Sequence, residues 1–389
     1  MKNTFSKTNI ILLTAGCFFA FFLFGFTDNL KGPTLPPMIA ELGINYGTGG
    51  NIFFSQYVGF LIATLLTGIL ADKFGLKLVI LLAGALLATG VGGYSTLKTA
   101  SLLSVSLFII GLGLGAFELG PNAVIVSLYR TQKGLYLNLM AVMHGLGATL
   151  APLFAGWLFS MDAIWRTIYR WDLLLIVIFI FFSLFLRFPK AEKMASLDYK
   201  DVTRVAFKGD MPLYYLAIMF YVSAEIGIAS WLVIYLQEVR GASVAASTQS
   251  LALFFGMLMF GRLLGSFFVQ RFGYLRSVLI AAFLAAASIS IGTFTSLVFF
   301  LPLTGFFFSI IFPTITAAVS DTHRENVNTL LGLLFTFAGL GGVFGPWLAA
   351  WGSEFFGLQN GFAVNLILAS LTFLILLILF RKYKNGQNP

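Results

Sequence analysis

Hydrophobic runs long enough to cross a lipid bilayer recur from one end of this chain to the other. A transmembrane helix needs roughly 20 mainly apolar residues, and the sequence holds twelve such segments, most of them joined by short polar connectors. We predict spans at 10–41, 50–71, 77–97, 102–129, 134–160, 171–188, 213–237, 246–270, 276–296, 298–320, 327–353 and 361–381. Because α-helices satisfy their own backbone hydrogen bonds, they can cross lipid. The pattern therefore predicts an all-α membrane protein.

One connector is longer and more polar than the others. It reads FPKAEKMASLDYKDVTRVAFKGDMP, from Phe188 to Pro212, and six predicted spans lie on each side of it. We therefore predict an N-terminal six-helix bundle at 1–188, a cytoplasmic linker loop at 189–212 and a C-terminal six-helix bundle at 213–389.

Similar segments occupy corresponding positions in the two halves. HGLGATLAPLFAGW, at 144–157, resembles AGLGGVFGPWLAAW, at 338–351, with two glycines and a proline at a constant offset. GILADKFGLK, at 68–77, resembles GSFFVQRFGYLR, at 265–276. Such repeats predict two pseudo-symmetric bundles, which is one of the known designs for alternating access.

Composition and charge support a membrane location. The chain is 59% hydrophobic and 10% charged, whereas soluble domains carry about 25% charged residues. Suppose that the N-terminus is cytoplasmic. Only four Lys and Arg residues of the loops then lie on the outer side of the membrane, and the others lie on the cytoplasmic side. The four are Lys98, Arg166, Arg170 and Arg240. Basic residues favour the cytoplasmic side. We therefore expect both termini and the linker in the cytoplasm of a bacterial-type inner membrane, a retained first span rather than a cleaved signal, and no nucleic-acid partner.

The residues that catalysis would need do not occur in recognisable patterns. Cys17 is the only cysteine, so the sequence offers no disulfide framework and no thiolate metal site. The runs GLGLG and GLGG follow no predicted strand, which argues against a dinucleotide loop, and they fit close helix packing instead. With no P-loop and no nucleophile–base arrangement, we expect a protein that is not an enzyme and that has no cofactor.

Six ionisable residues fall at membrane depth, away from the ends of the predicted spans, where each costs roughly 2.5–3.5 kcal/mol on insertion scales. They are Asp28, Lys31, Glu118, His144, Glu225 and Arg262. Glu118 has Asn122 at i+4 on the same helix face. It is either a structural acid bonded across helices or, as we favour, a carboxylate that loads and releases a proton.

Asp28 and Lys31 have the i, i+3 spacing that lets them pair on one face. The prolines that follow, beginning with Pro33, predict a bend or break in this first span. The pair either lowers its own insertion cost or opens when substrate or a proton arrives. Asn29 lies beside it, and Gln56 and Tyr57 of the second span are candidates for a polar lining.

In the second half, Glu225 follows Tyr221 by one turn and precedes Trp231. An aromatic ring beside polar groups is suited to grip a sugar, although Trp231 could instead anchor at the membrane interface. His144 is an interhelical donor or a proton relay. For Arg262 we favour a salt bridge that closes the cytoplasmic gate over direct contact with a ligand.

GILADKFGLK resembles the G-x-x-x-D-(R/K)-x-G-x-(R/K) signature of the major facilitator superfamily, through Gly68, Asp72, Lys73, Gly75 and Lys77. Four stretches resemble the fucose/glucose/galactose–proton symporter family within it: FFLFGFTDNLKGPTLPP, GLGLGAFELGPNAVIV, YVSAEIGIASWLVIYL and FGRLLGSFFVQRFG. The resemblance implies the twelve-helix fold of that superfamily. It also implies that Glu118 falls on an acid used there for proton coupling and sugar binding.

We therefore expect a secondary transporter that moves a small polar solute, with a sugar as the first expectation, together with protons through a central cavity between the halves. Na⁺ remains open as the coupling ion, and we expect a monomer in the lipid bilayer. The expected proton-coupling residues are Asp28, Glu118 and Glu225; the expected substrate-binding residues are Asp28, Asn29, Lys31, Gln56, Tyr57, Glu118, Asn122, His144, Tyr221, Glu225 and Trp231; the expected gating residues are Asp72, Lys73, Arg262 and Arg271.

Two alternatives keep the fold and change the cargo. Lys31 and Arg262 could neutralise an organic anion, and an apolar cavity would suit an exporter of drug-like or lipid-like molecules. A transporter-like sensor would need a sizeable cytoplasmic module, and neither the central loop nor the tail RKYKNGQNP offers one.

Overall fold

The regular structure of this protein is helical throughout the part that is described. The computed structural model describes residues 6–129, 132–189, 207–322 and 327–386, and no strand occurs in these ranges. The helices are α1 (Lys7–Asn29), α2 (Lys31–Leu42), α3 (Tyr46–Phe74), α4 (Leu76–Thr96), α5 (Ala100–Leu128), α6 (Lys133–Phe159), α7 (Trp165–Leu184), α8 (Met211–Glu238), α9 (Val244–Phe272), α10 (Tyr274–Phe294), α11 (Phe300–Phe308), α12 (Ile311–Thr322), α13 (Val327–Phe356) and α14 (Leu358–Gly386).

These helices provide twelve segments that are long and apolar enough to cross a membrane. Ten of the segments are single helices, while α1 with α2 and α11 with α12 each form one interrupted span. The prediction of an all-α protein with twelve transmembrane helices is therefore confirmed.

Both interruptions have the same cause. A proline lacks the N–H that would bond to the carbonyl four residues earlier, and its ring clashes with that carbonyl. Pro33 cannot bond to the carbonyl of Asn29, where α1 ends. Pro313 likewise cannot bond to the carbonyl of Ser309, which caps α11. The predicted break near Pro33 is therefore present, and the tenth span contains a second break.

The sixth span begins earlier than the sequence pattern indicated. We predicted 171–188 with Arg166 in an outer loop, but α7 starts at Trp165, and Arg166 is only 5% exposed. Its guanidinium pairs with Glu41 and donates to the carbonyl of Leu97 at 2.8 Å, while the Trp165 indole donates to Glu41 at 2.6 Å. The ion pair with Glu41 thus allows Arg166 to be buried in the first turn of α7. A hydropathy pattern does not reveal such a pair.

By their contacts the residues divide into two compact units. The first comprises Met1–Ile44 and Asn51–Ala195, and the second comprises Asn45–Gly50 and Ser196–Pro389. The short segment Asn45–Gly50, which we had placed in the first bundle, is held in the second unit because the Asn45 amide donates to Glu354 at 3.1 Å. Most of the predicted linker at 189–212 lies outside the described residues.

Glycines allow the helices of each unit to approach closely. In the first unit, a Cβ at Gly147 of α6 would overlap the carbonyl of Phe22 on α1. In the second unit, a Cβ at Gly341 of α13 would overlap the carbonyl of Met219 on α8. Small residues at such contacts are typical of membrane helix packing.

A second pair of glycines follows the same rule. Gly111 of α5 meets the carbonyl of Gln56 on α3, and Gly305 of α11 meets the carbonyl of Phe254 on α9. The internal repeat seen in the sequence therefore corresponds to a repeat in helix packing inside each unit.

Candidate functional site

A cluster of polar side chains surrounds the break between α1 and α2. Asp28, Lys31, Gln56 and Tyr57 form this group, which we name the Asp28 cluster. The Lys31 ammonium donates to Asp28 Oδ1 and to the Tyr57 hydroxyl, the latter at 2.7 Å. The Gln56 amide donates to the same Asp28 oxygen at 2.6 Å. The i, i+3 spacing thus produces an ion pair, and α3 supplies two further partners.

The Asp28 cluster is buried inside the first unit. Asp28 is 8% exposed and Lys31 is 3% exposed, and Gln56 and Tyr57 are buried as well. Removing charges from water is expensive, and the cost is repaid only when the charges are paired and hydrogen-bonded. The Tyr57 ring adds to this because the Lys31 ammonium lies 4.5 Å from its centroid. The arrangement is therefore neutral as a whole and rich in donors and acceptors.

Glu118 and His144 belong to the same unit and are half-buried. Glu118 lies on α5, where the Asn122 amide donates to its backbone carbonyl at 2.6 Å. The His144 ring packs edge-on against Phe24 of α1, with ring centroids 4.7 Å apart. The Asn122 side chain therefore bonds to its own helix, and the Glu118 carboxylate is more accessible than Asp28.

A second charged group lies within the second unit. Glu225 and Tyr221 of α8 and Arg262 of α9 form this group, which we name the Glu225 cluster. The Arg262 guanidinium lies close enough to attract the Glu225 carboxylate, and Tyr221 lies near both, although its buried hydroxyl has no hydrogen-bond partner among the described residues. Tyr221 is 1% exposed, whereas Glu225 and Arg262 are half-buried. The structure thus groups Arg262 with Glu225, and the gating salt bridge expected for Arg262 stays a prediction.

Two of the predicted substrate ligands use their polar groups in helix contacts. The Trp231 indole donates to the carbonyl of Pro346 at 3.0 Å, and the side chain is fully buried. The Asn29 amide donates to the carbonyl of Gly25, one turn earlier, at 2.8 Å. In this conformation, therefore, the Trp231 ring has no free face for a solute.

The remaining predicted gating residues are exposed near the ends of α3 and α9. The Lys73 ammonium lies 5.2 Å from the Phe74 ring centroid, and the Arg271 guanidinium lies 6.0 Å from that of Phe272. Asp72 is exposed, and within the described part of the chain it forms no hydrogen bond or ion pair. The two halves thus repeat a basic residue beside a phenylalanine at equivalent positions.

Asp172 was missed by the sequence analysis. It lies on α7 and is 0% exposed, and its carboxyl accepts a hydrogen bond from the Thr27 hydroxyl at 3.0 Å. The predicted sixth span started at residue 171, which made Asp172 look like a residue at the membrane edge. An acid directly before LLLIVIFIFF was the available signal.

An apolar cleft lies apart from these polar groups. It has a volume of about 420 Å³ and is lined only by apolar side chains of α1, α6 and α7, among them Phe22, Phe154 and Trp157. Trp157 is half exposed, so the cleft opens to the protein surface. Its almost entirely apolar lining fits acyl chains better than a polar solute. Among the described residues no three potential metal ligands come together.

Comparison with known proteins places these observations in a family. The sequence profile described as the Major Facilitator Superfamily matches residues 17–291 and 250–389. An uncharacterised MFS-type transporter of Yersinia pestis is 25% identical over 336 residues, which cover 84% of this chain and 85% of that protein. A glucose/galactose transporter of Brucella abortus is 24% identical over 385 residues, covering 93% and 91%. The crystal structure of a D-xylose–proton symporter has a TM-score of 0.76 at 14% identity, covering 95% and 96%.

Proposed function

The chain belongs to the Major Facilitator Superfamily, and from that premise we propose that it moves a small polar solute, in the first place a sugar, with protons by alternating access. Its relatives are transporters and not enzymes. The observation that carries the proposal is the Asp28 cluster, because it buries an ion pair inside membrane-spanning helices. Ionisable groups at membrane depth usually mark the path of a substrate or an ion.

The chemistry of the Asp28 cluster suits a solute with several hydroxyl groups. When the ion pair opens, Asp28 offers acceptors, Lys31 offers donors, and Gln56 and Tyr57 offer both. Few but well-placed polar groups define most small-molecule sites. We assign substrate binding to these residues and to Glu118 and His144, with the Glu225 cluster as its counterpart in the second unit.

A sugar is the first candidate because of two relatives. The Brucella abortus protein is described as a glucose/galactose transporter, and one structural neighbour as a D-xylose–proton symporter. The second description also favours protons as the coupling ion. Glu118, Asp28 and Glu225 are the carboxylates that we assign to this coupling, in a protein of the cytoplasmic membrane.

An organic anion is the second candidate cargo. Lys31 is a buried cation and Arg262 a half-buried one, and either could neutralise a carboxylate. Lys31→Ala discriminates between the two cargoes. In folded Lys31→Ala protein, loss of anion transport with sugar transport intact would favour the anion, and loss of sugar transport would favour the sugar. An exporter of drug-like or lipid-like molecules would keep its transport in the folded variant, because its cargo does not rely on this charge.

The coupling role is tested with purified protein in liposomes. Glu118→Gln keeps the size of the side chain and cannot release a proton, so we expect proton-driven uptake to be lost while solute counterflow continues. Asp162→Asn is the matched control, since Asp162 is an exposed acid whose positive φ of 57° suits asparagine. Undiminished proton-driven uptake by Glu118→Gln would refute the assignment.

A further inference from the structure

Asp172 is a buried acid that has no charged partner among the described residues. It lies in the membrane-spanning segment Trp165–Leu184 and is 0% exposed. Its Oδ1 accepts one hydrogen bond, from the Thr27 hydroxyl, and its Oδ2 has no partner among the described residues. Asp28, by contrast, accepts from an ammonium and from an amide. A negative charge is therefore compensated at Asp28 and uncompensated at Asp172 among the described residues.

Within the described part of the chain, the groups around Asp172 offer no buried, unpaired cation to compensate a charge. On its own helix, Arg166 is engaged with Glu41, Arg170 is exposed, and Tyr169 is a neutral phenol one turn away. The packed helix α4 contributes Tyr94, whose ring lies edge-on to Tyr169 at 4.8 Å.

The helices α1 and α2, which also pack against α7, bring one charged pair near Asp172. It consists of Asp28, the neighbour of Thr27 in the chain, and Lys31, which is already paired with Asp28. Farther along the unit, His144 of α6 packs against Phe24. An ionised Asp172 would therefore meet one neutral donor and no unpaired cation among the described residues, and such a buried charge is costly.

Asp172 and Tyr169 hold the two sides of the helix break. The Thr27 hydroxyl of α1 bonds to Asp172, and the Thr34 hydroxyl of α2 lies 3.2 Å from the Tyr169 hydroxyl. Asp172 and Tyr169 are three residues apart on α7, which places them on one face. Helix α7 thus contacts the segment that carries Asp28 and Lys31 on both sides of the break, through α1 before it and through α2 after it.

We propose that Asp172 is a proton-binding site that is occupied in this conformation, and that its bound proton keeps the α1–α2 break docked on α7. The proton resides on Oδ2, while Oδ1 accepts from Thr27. Release of the proton to water leaves a buried carboxylate with no cation to compensate it among the described residues, which weakens the docking and frees the Asp28 cluster to rearrange. Only the link to transport rests on the proposed function, since occupancy of the site is a property of the protein at rest.

Infrared spectroscopy of the full chain in lipid tests the occupancy. A protonated carboxyl group has a C=O stretching band that moves when H₂O is replaced by D₂O, and we expect Asp172 to contribute such a band at neutral pH. The band should be lost in Asp172→Asn and kept in Asp28→Asn. Equal bands in the wild type and in Asp172→Asn would overturn the proposal, because Asp172 would then be ionised.

A second variant keeps the test decisive if Asp172→Asn does not fold. Thr27→Val is nearly isosteric and removes the hydrogen bond to Oδ1, so the Asp172 band should persist and shift in frequency. An unchanged spectrum would count against the assignment.

Transport assays separate this inference from the proposed function. Asp172→Asn mimics the protonated acid and cannot release a proton, so any pH dependence of solute binding that stems from Asp172 should be present in the wild type and absent in this variant. If Glu118→Gln leaves uptake intact while the Asp172 band is present, the proposed coupling fails and the proton site stands. If the band is absent and Glu118→Gln still abolishes uptake, only this inference fails.

Discussion

At the scale of single residues, the two buried aspartates show how one unit treats the same side chain in two ways. Asp28 is balanced by Lys31 and Gln56, whereas the one partner of Asp172 in the described part of the chain is the Thr27 hydroxyl. A buried ion pair contributes little net stability, but removal of one partner leaves an uncompensated charge. The consequences of substitution at Asp28 and Lys31 are therefore strongly non-additive.

The double-mutant cycle of this pair is the prediction at this scale. Lys31→Met alone should destabilise the protein by about 3–5 kcal/mol, because Asp28 is left buried without its cation. The double variant Asp28→Asn with Lys31→Met should recover much of that loss, since neither charge remains. Thermal unfolding in detergent measures both effects. Simple addition of the two single losses would mean that the residues do not act as a pair.

Sequence reasoning reached some of these residues and not others, for physical reasons. Asp28 and Lys31 are near each other in the chain, so their spacing on one helix was enough to predict the pair. The contacts of Asp172 with Thr27 and of Arg166 with Glu41 join helices far apart in the sequence. No periodicity records such contacts, and both residues were hidden further because the start of α7 was placed too late.

At the scale of helices, prolines and glycines decide the local geometry. Pro33 and Pro313 interrupt two spans, and the first interruption carries the Asp28 cluster. Glycines face the carbonyl groups of neighbouring helices in both units. The break near Pro33 and the close glycine packing could be predicted because each rests on one residue type, whereas the break at Pro313 and the partner helix of each glycine were not predicted.

Helix α13 offers a matched pair of glycines for a test of this packing. A Cβ at Gly341 would overlap the carbonyl of Met219, whereas a Cβ at Gly332 would meet no atom within 4 Å. Gly341→Ala should therefore lower thermal stability and the yield of folded protein, while Gly332→Ala should be tolerated. The measurement is the fraction of each variant that elutes as monodisperse protein in size-exclusion chromatography, relative to the wild type. Equal behaviour of the two variants would show that the contact of α13 with α8 is not close.

At the scale of the whole molecule, each unit has its own buried charges and its own close glycine contacts. The first unit holds the Asp28 cluster and the second holds the Glu225 cluster. The number of spans could be predicted because segment length and apolarity are enough to define a transmembrane helix. The ends of the helices were less predictable, since ion pairs and caps move them by several residues.

The orientation in the membrane is testable because the chain has a single cysteine. In a Cys17→Ser background, Met161→Cys and Lys73→Cys each introduce one exposed thiol, beyond the ends of α6 and near the end of α3 respectively. The distribution of Lys and Arg predicts that Met161 faces outward and Lys73 inward. A membrane-impermeant maleimide should therefore label only Met161→Cys in intact cells. Labelling of Lys73→Cys alone would reverse the predicted topology.

Proton movement during solute transport tests the central claim most directly. Protein is reconstituted in liposomes that contain a pH indicator, and sugars and organic anions are added one at a time without an imposed gradient of protons. We predict that one class of solute acidifies the liposome interior as it enters, and that this signal is absent with Glu118→Gln. Solute entry without any proton movement in the wild type would contradict the account.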